Sequence, residues 1–169
     1  VLPVDLLAQP AIGLSALASM TSFIAAGTLL LVLPFRLEGV LGYSPAEVGM
    51  LLLPYPLTMM VVAPLVGWAS DRVAPTKLGV TGLSLVVAGL LLLATMPLAR
   101  DEWALVWRLM LTALGFGLFL SPNARLLFSR TPRERTAAAG GLVSTSRLFG
   151  QTLAAVLVIL HDLNLAARY

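Results

Sequence analysis

The sequence predicts an all-α, polytopic membrane protein with five transmembrane helices. Three observations carry that reading. First, 59% of the 169 residues are hydrophobic and only 11% are charged, against roughly 45–50% and about 25% in ordinary soluble domains. Mean hydropathy is +0.94. Second, the apolar residues fall into five runs, each near the 17–25 residues that a helix needs to cross ~30 Å of hydrocarbon. Third, strands of a membrane barrel would be about half as long, and in lipid the backbone must satisfy its own hydrogen bonds. The composition leaves no room for a water-soluble enzyme, a disordered chain or a disulfide-stapled domain. With no Cys and one His, cysteine-based metal sites are excluded too, and no metal or cofactor site is expected. The net charge of +3 comes from basic residues scattered between apolar runs. They form no continuous stripe for nucleic acid.

The runs follow in order. Span one, Ile12–Leu33, span two, Val48–Ala69, and span three, Leu78–Met96, contain no charged residue; span four, Ala104–Leu120, contains Arg108, and span five, Ala137–Leu160, contains Arg147. The domain reading is a helix bundle over residues 1–160 with a polar tail at 161–169. No secretory signal precedes the first run. Val1 stands where an initiator Met is expected, so the chain reads as a piece of a longer polypeptide.

Loops two (Ser70–Lys77) and four (Ser121–Thr136) hold Arg72, Lys77, Arg125, Arg130, Arg133 and Arg135, whereas loops one and three hold only Arg36 and Arg100. That asymmetry places loops two and four, and the N-terminus, in the cytoplasm. Ser44-Pro45-Ala46-Glu47 reads as a capping box with Pro at the first helical position. Thr131-Pro132-Arg133-Glu134 repeats the pattern before span five. Pro54, Pro56 and Pro64 predict a bent span two, either mobile or static.

Within the spans, Ser15, Ser19, Ser22 and Ala26 recur at helical spacing, and Gly82, Gly89, Gly140, Gly141, Ser144 and Gly150 add small residues in spans three and five. Such patterns let helices approach closely. The alternative is that the span-one hydroxyls line a polar cavity, with Thr112 of span four as a further candidate lining residue. Arg108 lies near the outer end of its span, where its head can reach the interface. Arg147 lies near mid-membrane, about 15 Å into span five at 1.5 Å per residue. Gly140, Ser144, Arg147 and Gln151 share one polar face that looks into protein or water. Two readings of Arg147 stay open: it fixes helix packing, or it meets a substrate or a titrating carboxylate. No Asp, Glu or His lies within the five spans, so a proton-coupled mechanism would need a carboxylate from outside this chain.

The runs Pro34-Phe35-Arg36-Leu37, Gly42-Tyr43-Ser44-Pro45-Ala46-Glu47-Val48-Gly49 and Leu53-Pro54, then Ala63-Pro64-Leu65-Val66-Gly67-Trp68-Ala69-Ser70-Asp71-Arg72, resemble the C-terminal half of major facilitator superfamily drug:proton antiporters of the fourteen-span branch. Gly115-Phe116-Gly117, Ser121-Pro122-Asn123, Ala139-Gly140-Gly141 and Ser146-Arg147-Leu148-Phe149-Gly150 extend the resemblance over about Pro3–Leu157. It implies a multi-pass protein of the bacterial inner membrane that exports hydrophobic or cationic drugs against proton entry by alternating access. It implies also that the partner is an N-terminal half absent from this chain, without which these five spans would not transport. Spans one and four would line the central cavity and spans two and five would lie at the interface between halves; Ser15, Ser19, Ser22, Arg108 and Thr112, with Arg147 and Gln151 of span five, are the cavity candidates. Gly67, Asp71, Arg72 and Lys77 would belong to a conformational latch. Asp71 could face a helix N-terminus, and Arg72 a carboxylate or terminal carbonyls. Ala74, Pro75 and Thr76 depart from the family's signature and weaken that latch.

The last residues, Val156-Leu157-Val158-Ile159-Leu160-His161-Asp162-Leu163-Asn164-Leu165-Ala166-Ala167-Arg168-Tyr169, resemble the switch-histidine strand of ABC ATPases of the iron–siderophore type, ten of them closely. No phosphate loop or acidic strand accompanies them, so ATP hydrolysis is not expected. Besides the exporter, two alternatives stand: a non-transporting membrane segment that packs on partner helices, and a membrane part of an ABC system.

Overall fold

The computed structural model describes residues 7–97 and 99–166, and side chains up to residue 160. The described residues form helices α1 (Pro10–Gly39), α2 (Pro45–Leu52), α3 (Pro54–Ala69), α4 (Pro75–Ala94), α5 (Glu102–Ser129) and α6 (Thr136–Ala166), with a short 3₁₀ turn at Arg133–Arg135. Taken together, α2 and α3 make one candidate span. Five stretches are thus long and apolar enough to cross a membrane, as the sequence predicts.

The helix boundaries have local causes. Ser44 closes the predicted capping box: its side chain accepts from the Glu47 N–H, and the Glu47 carboxylate accepts from the Ser44 N–H at 2.7 Å. Such a cap contributes about 1 kcal/mol. The break between α2 and α3 falls at Leu53, just before Pro54. Pro54 and Pro56 have no N–H, so Met50 and Leu52 lose their helical donors. Nearby, the Thr58 hydroxyl donates to the Pro54 carbonyl at 2.7 Å. The second predicted box does not form. Pro132 precedes the 3₁₀ turn without a side-chain cap, and the buried Thr131 hydroxyl donates back to Leu127 O instead. Predicted loop four also shrinks: α5 continues through Pro122 to Ser129, so Arg125 belongs to a helix end.

The chain divides into two compact units, each described by itself. Unit A holds the described residues up to Pro34 and those from Leu126 onward; unit B is Phe35–Arg125. In unit A, Ile12, Ala16, Leu127 and Leu142 form the core. There α1 and α6 approach closely: a Cβ on Gly150 would lie 2.6 Å from Met20 O and 2.9 Å from Phe23 Cβ. In unit B, α4 and α5 meet backbone to backbone, because a Cβ on Gly82 would lie 2.7 Å from both Gly115 O and Phe119 N. Tyr55 of α3 packs edge-on to Phe116 of α5, with ring centroids 6.4 Å apart. Without a hydrophobic drive between helices in lipid, such close contacts are what hold a bundle together.

The small residues therefore split. Gly82, Gly89 and Gly150 pack as predicted, but nothing lies within 4 Å of a Cβ built on Gly140 or Gly141, and Ser144 is exposed. These three mark an open face of α6 rather than a helix contact.

At the other end of unit B, two arginines tie connections together. Arg36 in the last turn of α1 donates to Met96 O at 3.3 Å. Arg100 donates to Leu41 O at 2.8 Å and to Gly42 O, and stacks 4.5 Å over the Tyr43 ring. Gly42 has φ of +67°, a conformation that only glycine adopts without cost. Arg100 thus supplies donors where the chain turns away from α1.

Candidate functional site

The candidate cavity residues fall in both units. In unit A, Ser15, Ser19 and Ser22 occupy one strip of α1 and are 5%, 3% and 4% exposed. They are buried, and the Ser22 hydroxyl donates to Ala18 O of its own helix at 2.7 Å. The open space beside α1 lies elsewhere. An apolar groove of about 440 Å³ runs between α1 and α6, lined by Ala16, Leu17, Met20, Leu142, Thr145, Ser146 and Phe149 among others. The 3.6-residue period shows which residues share a strip, but not which strip its neighbours cover.

On α6, Ser144, Arg147 and Gln151 lie on the exposed side. Arg147 is eleven residues into the helix, so its Cα is ~16 Å along the axis, close to the middle of a span. Its guanidinium carbon lies 5.6 Å from the Phe23 ring centroid, within cation–π range. An arginine at the centre of a span costs about 2.5–3.5 kcal/mol on insertion scales, and it normally faces a cavity or a polar partner.

Arg108 and Thr112 of unit B are held differently. The Arg108 Nη1 donates to Ala104 O at 2.6 Å, and its head stacks 4.6 Å over Trp107. Its Nε is buried and has no hydrogen-bond partner among the described residues. Thr112 is fully buried, donates to Arg108 O at 2.8 Å, and packs against Gly89 in the α4–α5 contact.

The latch candidates run from the end of α3 (Gly67) through the connection (Asp71, Arg72) to the start of α4 (Lys77). The Asp71 carboxylate pairs with Arg125 Nη1 at 2.6 Å. It does not cap the following helix, because α4 begins at Pro75 after Ala74 with no side-chain cap. Arg72 stacks on Trp68, 3.7 Å from the ring centroid, instead of reaching a carboxylate or terminal carbonyls. A Cβ on Gly67 would meet nothing within 4 Å, and Lys77 is exposed. Arg125 was absent from the predicted set. It stands 54 positions from Asp71, and no spacing rule links residues so far apart in sequence.

The backbone of the ABC-like tail is helical through Ala166 as the end of α6, where that resemblance implies a strand. The side chain of His161, the residue that would act there, lies outside the described residues.

Five helices long and apolar enough to cross a membrane, with close small-residue contacts, define a multi-pass membrane protein. The profile of the Major Facilitator Superfamily matches residues 5–160, and the chain belongs to that family. Among curated relatives it is 44% identical over 159 residues to the Uncharacterized transporter YebQ of Escherichia coli, covering 94% of this chain and 35% of that protein. It is 33% identical over 131 residues to the Multidrug resistance protein Stp of Mycobacterium tuberculosis, covering 78% of this chain and 24% of that protein. A third relative, the Tetracenomycin C resistance and export protein of Streptomyces glaucescens, is 32% identical over 144 residues, covering 77% and 26%. The chain thus spans about a third or less of the length of these relatives. No solved structure matches it.

Proposed function

We propose that this chain supplies five C-terminal-half helices of a proton-coupled exporter of hydrophobic or cationic drugs in the bacterial inner membrane. It would work by alternating access together with an N-terminal half. The observation that carries the reading is Arg147, exposed midway along a membrane span with Ser144 and Gln151 beside it. A polar strip of this kind calls for a water-filled path or polar partner helices, and a rocking carrier has both. The resistance and export names of the relatives support drugs as the substrate class. The intramembrane carboxylate that proton coupling requires would come from the N-terminal half. In the same reading, loops two and four face the cytoplasm. Gly67, Asp71, Arg72 and Lys77 then form a latch on that face, with Arg125 added as the partner of Asp71.

The test is a chimera in which residues 5–160 replace the matching segment of the Escherichia coli relative. Cells lacking their own exporters should retain less ethidium when they carry it, and a protonophore should abolish the difference. Ethidium and a panel of other cationic dyes retained at empty-vector levels, with the chimera present in the membrane, would reject the drug reading.

A further inference from the structure

Every arginine of unit B but one is given an oxygen acceptor. Arg36 donates to Met96 O, Arg100 to Leu41 O and Gly42 O, Arg108 to Ala104 O, and Arg125 to the Asp71 carboxylate. Arg72 is the exception. Among the described residues its guanidinium meets only the Trp68 ring, 3.7 Å from the centroid. Contact with the indole anchors the group and leaves its N–H donors free. Asp71, the acid next to it in sequence, is already taken by Arg125. Arg72 therefore presents an uncompensated, exposed fork of the shape that binds two oxygens of a phosphate.

The surface that leads to this cation is apolar. The candidate span containing α3 ends at Ala69, so Trp68 stands where a membrane meets water, a common place for tryptophan. Leu57, Val61, Leu65 and Trp68 follow at steps of three or four residues, which puts them on one strip of α3, and all four are exposed. Arg72 continues the same spacing and stacks on the last of them. Deeper in the span the strip borders an apolar groove of about 350 Å³ between α3 and α5, lined by Leu57, Thr58, Val61, Val62 and Met110 among others. From Trp68 back to Leu57 is ~16 Å at 1.5 Å per residue, close to half of the ~30 Å of hydrocarbon. Cation, interfacial indole and groove together span the depth of one leaflet.

We propose that an anionic phospholipid docks on this face of unit B, with its phosphate on the free edge of Arg72 and an acyl chain running along Leu65 and Val61 into the groove. Charge complementarity selects the head, and the wholly apolar strip selects a lipid tail. The Ser144, Arg147 and Gln151 face of α6, polar along its length, is the kind of surface that suits partner helices instead. The inference rests on the membrane reading of these helices alone and does not need export.

Quenching of Trp68 fluorescence by brominated lipid tests it. The 169-residue chain with Trp103→Phe and Trp107→Phe keeps Trp68 as its one tryptophan. It is reconstituted in mixtures of phosphatidylcholine and phosphatidylglycerol, with one or the other brominated in its acyl chains. Phosphatidylglycerol is expected beside Trp68 at about fivefold over its share of the mixture, the effect of one cation near an anionic surface. Arg72→Gln should remove that excess, and Arg72→Lys should keep part of it. Arg130→Gln, which removes an exposed cation of unit A, should leave it unchanged, as should inorganic phosphate at matched ionic strength. Equal access of both lipids to Trp68 in the parent would overturn the proposal, whatever the variants do. So would an equal loss in Arg130→Gln, which would mean general surface charge, or competition by inorganic phosphate, which would mean a soluble anion. In the chimeric exporter, the fluorescence lost on Trp68→Phe should show the same lipid preference. A Trp68 signal that neither lipid quenches there would assign this face to partner helices and overturn the proposal too.

Discussion

Arg108 of α5 and Arg147 of α6 both lie well inside a membrane-crossing stretch, and the two are treated in opposite ways. Arg108 of α5 folds back on its own helix, bonding Ala104 O and stacking on Trp107, one turn before Thr112 packs on Gly89. Arg147 of α6 is exposed halfway along, with no Cβ contact at the nearby Gly140 and Gly141. Packing explains the difference. Over an 18-residue apolar window of each span, 44% of the residues are buried in α5 against 22% in α6, so α5 is the more enclosed helix and α6 keeps a face for something else. Residue type alone does not define a polar site in a membrane protein; what surrounds it does.

The sharpest way to break this contrast is through glycine. Gly82→Val would drive side-chain carbons into Gly115 O and Phe119 N, and backbone cannot yield as a flexible side chain can. Overpacking typically costs ~1–3 kcal/mol and occasionally more; a double backbone clash puts this variant at the upper end. Gly140→Val meets open space and should stay within about 0.5 kcal/mol of the parent. Unfolding of the reconstituted chain by a denaturing detergent measures both. Equal losses would show that α6 is packed as tightly as α5.

The arginines come next in size. In the chimeric exporter, Arg147→Ala should lower dye efflux while the amount of membrane-inserted protein holds. Arg108→Met should leave both within about 1 kcal/mol or twofold, because it removes a buried Nε–H with no partner and keeps an apolar stem of similar volume. Reduced inserted protein in Arg147→Ala would return that residue to a packing role.

Much of the architecture was legible in the sequence because lipid enforces it. Runs such as Val48–Ala69 have one stable solution in hydrocarbon, and the Ser44–Glu47 box involves only neighbours, so the chain carries it locally. The same local logic failed at Thr131, where the hydroxyl found Leu127 O one turn back on α5. Pattern alone did not extend α5 past Pro122, since a proline is as often a stop as a kink. The site was the least legible part. Periodicity put Ser15, Ser19 and Ser22 on one strip, yet their burial depends on neighbouring helices. Arg125, Arg100 and Arg36 act across 54 or more positions, a distance over which a single sequence carries no spacing signal.

The smallest expected effect concerns the Asp71–Arg125 pair. Its side chains are 65% and 53% exposed, and water screens an ion pair so exposed to about 0–1 kcal/mol. Asp71→Asn should therefore barely change detergent resistance, even though the contact is short. Small stability does not mean small consequence. A bond worth about 1 kcal/mol still shifts a two-state balance roughly fivefold at 0.59 kcal/mol per RT, and a weak bond is one that a moving carrier can break in each cycle. Asp71→Asn and Arg125→Gln should alter the rate at which a thiol reagent labels Ser70→Cys, a buried position one residue from the pair. The exchange Asp71→Arg with Arg125→Asp should restore the parent rate. Restoration separates a specific pairing from the general loss of charge at this end of the bundle. A swapped variant that labels like the single ones would mean that the pair is incidental, and that Arg72 stacked on Trp68 is the stronger fixture at the end of α3.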